Sequence, residues 1–392
     1  MKLEPLDIQP RLLLGPGPSP VPYPVRRALA EPVVGHMDPQ FLAIVDHIQT
    51  MLRKVFGTAN RLTLPVSGTG SAGMETAIVN FVEPGDTVIV VVAGVFGGRM
   101  VEAVEKVGGR VVCLEVPVGA AATLETLRQL LDDHPATRLV AVVMAETSTG
   151  VLQPLAGWGE LVHSRDALLL VDTVTALGGM PVNVDDNGFD VVFSGTQKCL
   201  SAPPGLSPFT ASDRALTHLD ARKVPIPSWY LDLNAFRQYW GQNRVYHHTA
   251  PISMLYGLYE ALRLVLLEGV ESRYARHRQV AQALWAGLEA MDMELMVDTA
   301  IRLPSVTTVK VPHGVDEMRL RQYLLKHEGI EIAGGLQSLS GKIWRIGVMG
   351  HGARLSNMIE LLAALGRGLR DQGRHVASGV EAAEAVYNRG NK

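Results

Sequence analysis

The chain has 392 residues, of which 47% are hydrophobic, and a formal net charge of -3. This length exceeds what a single core usually supports, so we expect more than one domain. No basic run of the kind that neutralises phosphates is present, which argues against nucleic-acid binding. Thr87–Gly98, the longest uncharged apolar stretch, is too short to span a membrane, and no histidine–cysteine cluster has zinc spacing. The two cysteines suit a reducing compartment, so we expect a cytoplasmic protein without a metal site.

Glycine and proline crowd the segment LLLGPGPSPVPYP near the N-terminus. Such a segment is extended, because proline and glycine disfavour a helix interior. We interpret residues 1–20 as an N-terminal arm that lies on another surface of the protein.

The middle of the chain alternates short apolar runs with helical patterns, which predicts an α/β fold with a mostly parallel sheet covered on both faces. The predicted strands are Leu62–Val66, Val88–Val92, Arg110–Glu115, Leu139–Met144, Leu168–Val171, Val191–Ser194 and Leu206–Thr210. The helical patterns between the first five are Ala72–Val82, Arg99–Val107, Leu124–Leu131 and Trp158–His163.

Two long helical patterns, Pro251–Glu268 and Val270–Met291, follow this region. A smaller α+β unit comes next, with strands Ser305–Val311 and Ile343–Val348 and helices near Asp316–Glu328 and Leu355–Leu369. We therefore place a large domain at residues 21–267 and a small domain at residues 268–392. The tail after Gly373 is compatible with a packed helix or with partial disorder.

A glycine-rich motif, VSGTGSAGMETAI, follows the first predicted strand and opens a helix. Its spacing, Gly68-x-Gly70-x-x-Gly73, matches the dinucleotide-binding fingerprint. A helix N-terminus with small residues is suited to phosphate, which we predict to bind at Thr69–Gly70–Ser71. The next strand, VIVVVAG, lacks the terminal carboxylate that a nicotinamide dinucleotide requires. A single phosphate is the better ligand, and a glycine-rich turn without a ligand stays the alternative.

A carboxylate and a lysine follow two later predicted strands. Asp172 ends an apolar strand, and Lys198 lies 26 positions later in the polar loop SGTQK. Ligands of open α/β sheets bind at the carboxyl ends of the strands, where both residues fall. As residue types alone, the two are equally compatible with a surface ion pair. Partial desolvation would instead lower the pKa of the lysine and make it nucleophilic, as a Schiff base needs. Together with a phosphate cradle, a lysine and an acid for a pyridine nitrogen are the requirements of pyridoxal 5'-phosphate (PLP).

These motifs resemble those of the alanine–glyoxylate and serine–pyruvate aminotransferases, in the class V branch of fold-type I PLP enzymes. The resemblance covers nearly the whole chain and rests on LLLGPGPS, GHMD, SGTGSAGMETA, EPGD, GVFGGR, STGVLQPL, LLLVDTVTALGG, SGTQKCLSAPPG, YHHTAP, RLPSVTTV and GGL…GKIWRIG. It implies a large PLP-binding domain with a mostly parallel seven-stranded sheet and a smaller C-terminal α+β domain.

The resemblance also implies residue roles. Lys198 would hold PLP as a Schiff base and shuttle the proton at the substrate α-carbon, and Asp172 would pair with the pyridine nitrogen. The other cofactor contacts it implies are Thr69, Gly70, Ser71 and Gln197 at the phosphate, Thr147 near a cofactor oxygen, and Phe96 on the ring, where relatives often have tryptophan. Tyr246 and Thr249 would reach the phosphate of a neighbouring subunit, which implies a homodimer. Arg345 would bind the substrate carboxylate, and Gly17 is assigned to substrate binding.

The predicted activity is ping-pong transamination from alanine or serine to glyoxylate or pyruvate. We find no second strand-borne arginine for a side-chain carboxylate, which disfavours an aspartate-type transaminase. A cysteine desulfurase needs a cysteine well after the lysine, and none follows Cys199. A nicotinamide-dependent dehydrogenase and a non-catalytic scaffold are weaker alternatives. His47, His134 and His163 are interpreted as surface residues, whereas His247 and His248 could line the cleft or not.

Overall fold

The computed structural model describes residues 3–390. Within that range the chain forms an α/β structure with a seven-stranded central sheet, a three-stranded sheet and two two-stranded sheets. The strands are β1 (Leu12–Leu13), β2 (Leu62–Ser67), β3 (Thr87–Val92), β4 (Arg110–Glu115), β5 (Thr137–Val143), β6 (Ala145–Glu146), β7 (Val151–Leu152), β8 (Leu168–Asp172), β9 (Val191–Phe193), β10 (Leu206–Ala211), β11 (Val306–Lys310), β12 (Ile330–Glu331), β13 (Ala333–Gly334) and β14 (Ile343–Gly347).

Helices connect most of these strands and cover the sheet. They are α1 (Tyr23–Leu29), α2 (Pro39–Phe56), α3 (Gly70–Phe81), α4 (Val95–Lys106), α5 (Leu124–Asp133), α6 (Trp158–His163), α7 (Asp213–Asp220), α8 (Leu233–Trp240), α9 (Ile252–Glu268), α10 (Val270–Ala290), α11 (Glu317–Tyr323), α12 (Leu355–Asp371) and α13 (Val380–Arg389). Among residues 3–390, none of the helices combines the length and the apolar composition needed to cross a membrane.

The central sheet has seven strands in the order β2-β10-β9-β8-β5-β3-β4. Strand β10 runs antiparallel to both of its neighbours, and the other pairs are parallel. The strands of the central sheet are apolar along most of their length, as expected for a sheet covered by helices on both faces. All five residues of β8, for example, are buried. The predicted α/β fold with a mostly parallel seven-stranded sheet is confirmed.

The register of the parallel strands brings their carboxyl ends to one edge. Asp172 pairs with Val143 of β5 on one side and with Phe193 of β9 on the other. The loops that follow β5, β8 and β9 therefore leave the sheet side by side. The N-terminus of α3, which follows β2, opens at the same edge, because Gly70 lies close to the side chain of Val174. This edge assembles residues that are far apart in the sequence.

Some predicted boundaries were wrong. Helix α4 begins at Val95 and not at Arg99, although Gly97 and Gly98 have low helix propensity. Close packing explains the glycine, since a Cβ at Gly97 would lie 2.5 Å from the carbonyl oxygen of Val91. The helix predicted near Asp316–Glu328 is α11 followed by a π-helical turn at Leu324–Glu328.

A second hydrophobic cluster lies in the C-terminal part of the chain, where α10 and α12 cover the three-stranded sheet β11-β14-β13. The N-terminal segment joins this cluster through Leu14, and β1 pairs in parallel with β12. The tail forms α13, and the carbonyl of Tyr387 accepts a hydrogen bond from Gln279 of α10 (2.8 Å). The domain limits at residues 20 and 267 stay predictions.

Candidate active site

A cavity of about 140 Å³ opens at the carboxyl edge of the central sheet. Eight of the residues predicted from the sequence line it: Thr69, Gly70, Ser71, Phe96, Thr147, Asp172, Gln197 and Lys198. They come from five separate stretches of the chain, and the sheet topology brings them together. The cavity is also lined by Arg99, which the sequence pattern did not single out.

Asp172 ends β8 and is buried at the floor of this cavity. Its Oδ1 accepts a hydrogen bond from the backbone N–H of Val174 (2.7 Å), and among the described residues Oδ2 has no such partner. Burial raises the pKa of the Asp172 carboxyl to about 7, and the nearby Glu146 acts in the same direction. The Val174 hydrogen bond and Lys198 oppose this shift. A carboxyl group in this setting can share a proton with a ligand at neutral pH.

Lys198 lies in the loop after β9, and its amine points to the N-terminal segment. Its Nζ donates a hydrogen bond to the carbonyl of Pro16, and its own carbonyl accepts one from Ser19 Oγ (2.7 Å). Burial lowers the pKa of the Lys198 amine to about 8, with Arg345 acting in the same direction and Cys199 and Asp172 opposing it. The lowered pKa agrees with the expectation from the sequence and increases the neutral, nucleophilic fraction of the amine. Within residues 3–390, Lys198 and Asp172 do not form an ion pair with each other, although both line the same cavity.

The residues at the N-terminus of α3, Thr69, Gly70 and Ser71, line the cavity. Thr69 is the N-cap residue, and its side chain makes no capping hydrogen bond. Gly70 leaves little room for a side chain, since an added Cβ would lie 3.0 Å from Val174 Cγ2. Gln197 also lines this part of the cavity, and within the described chain its Oε1 is buried without a hydrogen-bond partner. An uncapped helix N-terminus beside a free amide and hydroxyls fits a phosphate group.

Phe96 forms one wall of the cavity. A series of hydrogen bonds holds the start of α4, the helix that carries Phe96, in place. The guanidinium of Arg99 lies over the Phe96 ring, 4.8 Å from its centroid. The N–H of Val95 donates to Ser148 Oγ (3.0 Å), which in turn donates to Oε1 of Glu146 (2.5 Å). Burial raises the pKa of the Glu146 carboxyl, and hydrogen bonds from Ser148 and from the backbone N–H groups of Phe96 and Gly97 oppose this shift. Sequence reasoning missed Arg99 and Glu146, because an arginine in a helix and a glutamate before a turn carry no distinctive local pattern.

Arg345 on β14 lies next to the loop that carries Thr147. Its Nη1 donates to the Thr147 carbonyl (3.2 Å) and its Nε to the Gly334 carbonyl (2.8 Å). The side chain is buried, and burial lowers the pKa of its guanidinium while Glu146 opposes that shift. Gly17 lies directly against the Lys198 amine. Arg345 and Gly17 thus flank the cavity without being among the residues that form its walls.

Tyr246 and Thr249 are not among the residues that line this cavity. Their hydroxyls lie 3.1 Å apart, and the Tyr246 side chain is exposed. His247 and His248 are buried beside each other and also lie outside the cavity; His248 bonds to Ser67 Oγ (2.9 Å). His248 thus contacts the end of β2 next to the glycine-rich loop, and His247 contacts His248 and the carbonyl of Trp229.

Comparison with known proteins places this geometry in a family. The family described as aminotransferase class-V matches residues 24–360. Alanine–glyoxylate aminotransferase of Callithrix jacchus is 42% identical over 94% of this chain and 90% of its own length. The (S)-ureidoglycine–glyoxylate transaminase of Bacillus subtilis (strain 168) is 40% identical over 96% of this chain and 94% of its own.

A solved structure agrees with these relatives. The alanine–glyoxylate aminotransferase from Nostoc sp. superposes with a TM-score of 0.93 at 48% identity, and the match covers 94% of this chain and 98% of that one. The chain belongs to the class V aminotransferase family. It is an aminotransferase, as the resemblance of its sequence motifs implied.

Proposed function

We propose that this aminotransferase uses PLP and moves the amino group of a small neutral amino acid, alanine or serine, to glyoxylate or pyruvate. The observation that carries the proposal is the pair Lys198 and Asp172, which line one cavity and have pKa values shifted towards neutrality from opposite sides. A nucleophilic amine and an acid for a ring nitrogen are the two groups that a PLP enzyme must supply.

The residues of the cavity fit PLP. The uncapped α3 N-terminus at Thr69–Ser71, with Gln197 beside it, would bind the phosphate. Thr147 would bind a ring oxygen, and Phe96 would cover the ring face through its flat π system. Oδ2 of Asp172, which has no protein partner in the described chain, would accept a hydrogen bond from the protonated ring nitrogen. Lys198 would hold the group covalently through Nζ.

The bound ring would supply an electron sink for the charge that develops at the substrate α-carbon. Lys198 Nζ would remove the proton from the substrate α-carbon and deliver it to the cofactor carbon. Its lowered pKa suits this role, because much of the amine is neutral near pH 8. The carbonyl of Pro16 would hold Nζ in place between these transfers. Asp172 would keep the ring nitrogen protonated, because its carboxylate would pair with the positive charge of the protonated ring.

Arg345 would select the substrate by its carboxylate. Its Nε and Nη1 are occupied by the Gly334 and Thr147 carbonyls, which fixes the plane of the guanidinium and leaves Nη2 for a ligand. Every α-amino and 2-oxo acid carries the carboxylate that this group would bind. The names of two relatives, alanine–glyoxylate aminotransferase and (S)-ureidoglycine–glyoxylate transaminase, favour glyoxylate as the acceptor and make ureidoglycine a second candidate donor.

We also propose that the active form is a homodimer in which Tyr246 and Thr249 reach the phosphate of the other subunit. Both side chains are exposed and neither lines the cavity of its own chain, which supports this arrangement. Light scattering of the purified protein tests the dimer, and Tyr246→Phe should weaken cofactor binding. A cytoplasmic location stays a prediction from the sequence.

The decisive experiment replaces Lys198. Wild-type protein should absorb in the visible range after incubation with PLP and should transaminate alanine or serine with glyoxylate or pyruvate. Lys198→Ala should lose both properties, whereas Lys326→Ala, which alters an exposed lysine, should keep them. A screen of alanine, serine, ureidoglycine and aspartate against both acceptors then identifies the substrates. Persistence of absorbance and activity in Lys198→Ala would overturn the proposal.

A further inference from the structure

A buried arginine links the two loops that carry Asp172 and Lys198. Arg273 belongs to α10, and its side chain is 6% exposed. Its Nε donates to the carbonyl of Gly178 (2.9 Å), and its Nη2 donates to the carbonyl of Cys199 (2.7 Å). Gly178 lies in the loop after Asp172, and Cys199 is the residue after Lys198. One guanidinium therefore binds a carbonyl from each loop.

The two loops touch but have few other polar links. A Cβ at Gly178 would lie 2.8 Å from Leu200 Cδ2, and one at Gly179 would lie 2.6 Å from Cys199 Sγ, so the backbones pack closely. Among the described residues, no backbone–backbone hydrogen bond joins residues 176–180 to residues 198–200, and the Cys199 thiol donates a weak hydrogen bond to the Thr175 carbonyl (3.4 Å). The buried carbonyls of Gly178 and Cys199 thus depend on Arg273 for their hydrogen bonds.

Arg273 is itself fixed in position. Its Nη1 donates to Oε2 of Glu268 at the end of α9 (2.7 Å). The carbonyl of Arg273 accepts a hydrogen bond from His277 Nδ1 (2.8 Å), and His277 Nε2 accepts one from the N–H of Gly350 (2.8 Å). Burial lowers the pKa of the Arg273 guanidinium, and Glu268 compensates for part of that cost. A planar group with fixed donor directions can hold two carbonyls at a defined spacing, which an ammonium group cannot.

We propose that Arg273 is a positioning residue. It sets the spacing between Lys198 and Asp172 and limits the access of water to the Lys198 amine. The inference rests on the proposed function for its catalytic meaning, but the contacts are properties of the chain alone. Without Arg273, two buried carbonyls lose their partners, and the loops separate or admit water. The Lys198 amine then becomes better solvated and less well aligned.

Arg276, three residues further along α10, provides a matched control. It also binds Glu268, through Nε (2.5 Å) and Nη2 (3.0 Å). Its Nη1 donates to the carbonyls of Gly350 and Ala353, which belong to neither loop. Replacing Arg276 removes a partly buried arginine from the same helix and the same carboxylate, but leaves the links to Gly178 and Cys199 intact.

The first test uses the protein without cofactor. Hydrogen exchange should be faster by about tenfold or more in residues 173–180 and 198–202 of Arg273→Met. Local opening becomes easier in this variant, because the hydrogen bonds from Arg273 to the two carbonyls no longer have to be broken. The pH midpoint for labelling Lys198 with an amine-reactive reagent should be higher in the same variant than in the wild type, because solvation favours the charged amine. Arg276→Met should change neither measurement.

The second test uses the enzyme with PLP. Arg273→Met should lower kcat by on the order of 10-fold to 100-fold, with a smaller change in KM, since misalignment affects the chemical step. Arg273→Lys keeps the charge and should show the same changes to a smaller extent, which serves if the methionine variant does not fold. Equal exchange and labelling in Arg273→Met and Arg276→Met would overturn the inference. Failure of the proposed function would instead appear as a wild-type protein without transaminase activity. The exchange and labelling results on the cofactor-free protein would not be affected by that outcome.

Discussion

Gly17 lies so close to Lys198 that the amine occupies the space of a side chain at position 17. A Cβ there would overlap Nζ and lie 2.7 Å from Cδ and 2.8 Å from Cε of the lysine. Gly17 also has a φ of +120°, a backbone conformation that glycine adopts readily and other residues rarely do. The preceding carbonyl, that of Pro16, accepts the hydrogen bond of Nζ. The N-terminal segment therefore shapes one side of the lysine site.

Gly17→Ala is expected to displace the Lys198 amine. The new methyl group would force the lysine or the segment to move, and kcat/KM should fall by on the order of 100-fold, as for other displacements of about 1 Å at a reacting group. Absorbance of the PLP-loaded protein should fall in parallel. Gly15→Ala is the control, because its Cβ would meet only Ala333 Cβ, at 4.0 Å. Wild-type kinetics in Gly17→Ala would show that the contact with Lys198 has no functional role.

Local patterns in the sequence were sufficient for the central sheet and for much of the cavity. The strand before Asp172 is an uninterrupted apolar run, and a parallel sheet buried on both faces requires such runs. Asp172 ends β8, and Thr69 and Lys198 lie in the segments after β2 and β9, so the topology brings all three to one edge of the sheet.

The remaining contacts depend on residues that are distant in the sequence. Pro16 and Lys198 are 182 positions apart, and Arg273 lies 74 positions from the Cys199 carbonyl that it binds. Neither contact has a periodicity or a spacing that a single sequence reveals. The start of helix α4 could not be predicted for a second reason. Glycine has a low helix propensity, but close packing of Gly97 against Val91 offsets it. Tertiary packing therefore decides what local propensity cannot.

Asp172→Asn is expected to change how the stability of the cofactor-free protein depends on pH. The Asp172 pKa rises from 3.8 to about 7 on folding, so the folded chain binds more protons than the unfolded chain between these values. Stability contributed by this residue therefore falls as the pH rises from about 4 to 7. Asparagine has no such titration and can still accept the N–H of Val174.

The measurement is thermal unfolding of both proteins at pH 5 and pH 7.5. The advantage of Asp172→Asn over the wild type should be greater at the higher pH, by on the order of a few kcal/mol, because each pKa unit corresponds to about 1.4 kcal/mol. The same variant should lose transaminase activity, since an amide does not stabilise a protonated ring nitrogen. An advantage independent of pH would mean that Asp172 is ionised in the folded protein throughout this range.

Arg345→Lys is expected to weaken binding of both substrates. Lysine would keep the positive charge but lose the fork that binds Gly334, Thr147 and a carboxylate together. KM for the amino acid and for the oxo acid should each rise by roughly 10-fold to 100-fold, with a smaller fall in kcat. Arg319→Lys, which alters an exposed ion pair with Asp371, should leave both KM values unchanged. A rise in KM for only one of the two substrates would assign the carboxylate of the other to a different group.

Substitutions at Phe96 separate stacking on the cofactor from simple burial. Phe96→Ala should weaken PLP binding by roughly tenfold, since aromatic contacts add about 0.5–1.5 kcal/mol to the effect of buried area. Phe96→Leu keeps most of the apolar volume without a π face and should fall between alanine and the wild type, whereas Phe96→Trp should bind PLP at least as tightly as phenylalanine. Titration of cofactor-free protein with PLP, followed by absorbance, gives the four dissociation constants. If leucine binds PLP as tightly as phenylalanine does, the ring face contributes nothing, and the helix fixed by Val95 and Ser148 acts only as a wall of the cavity.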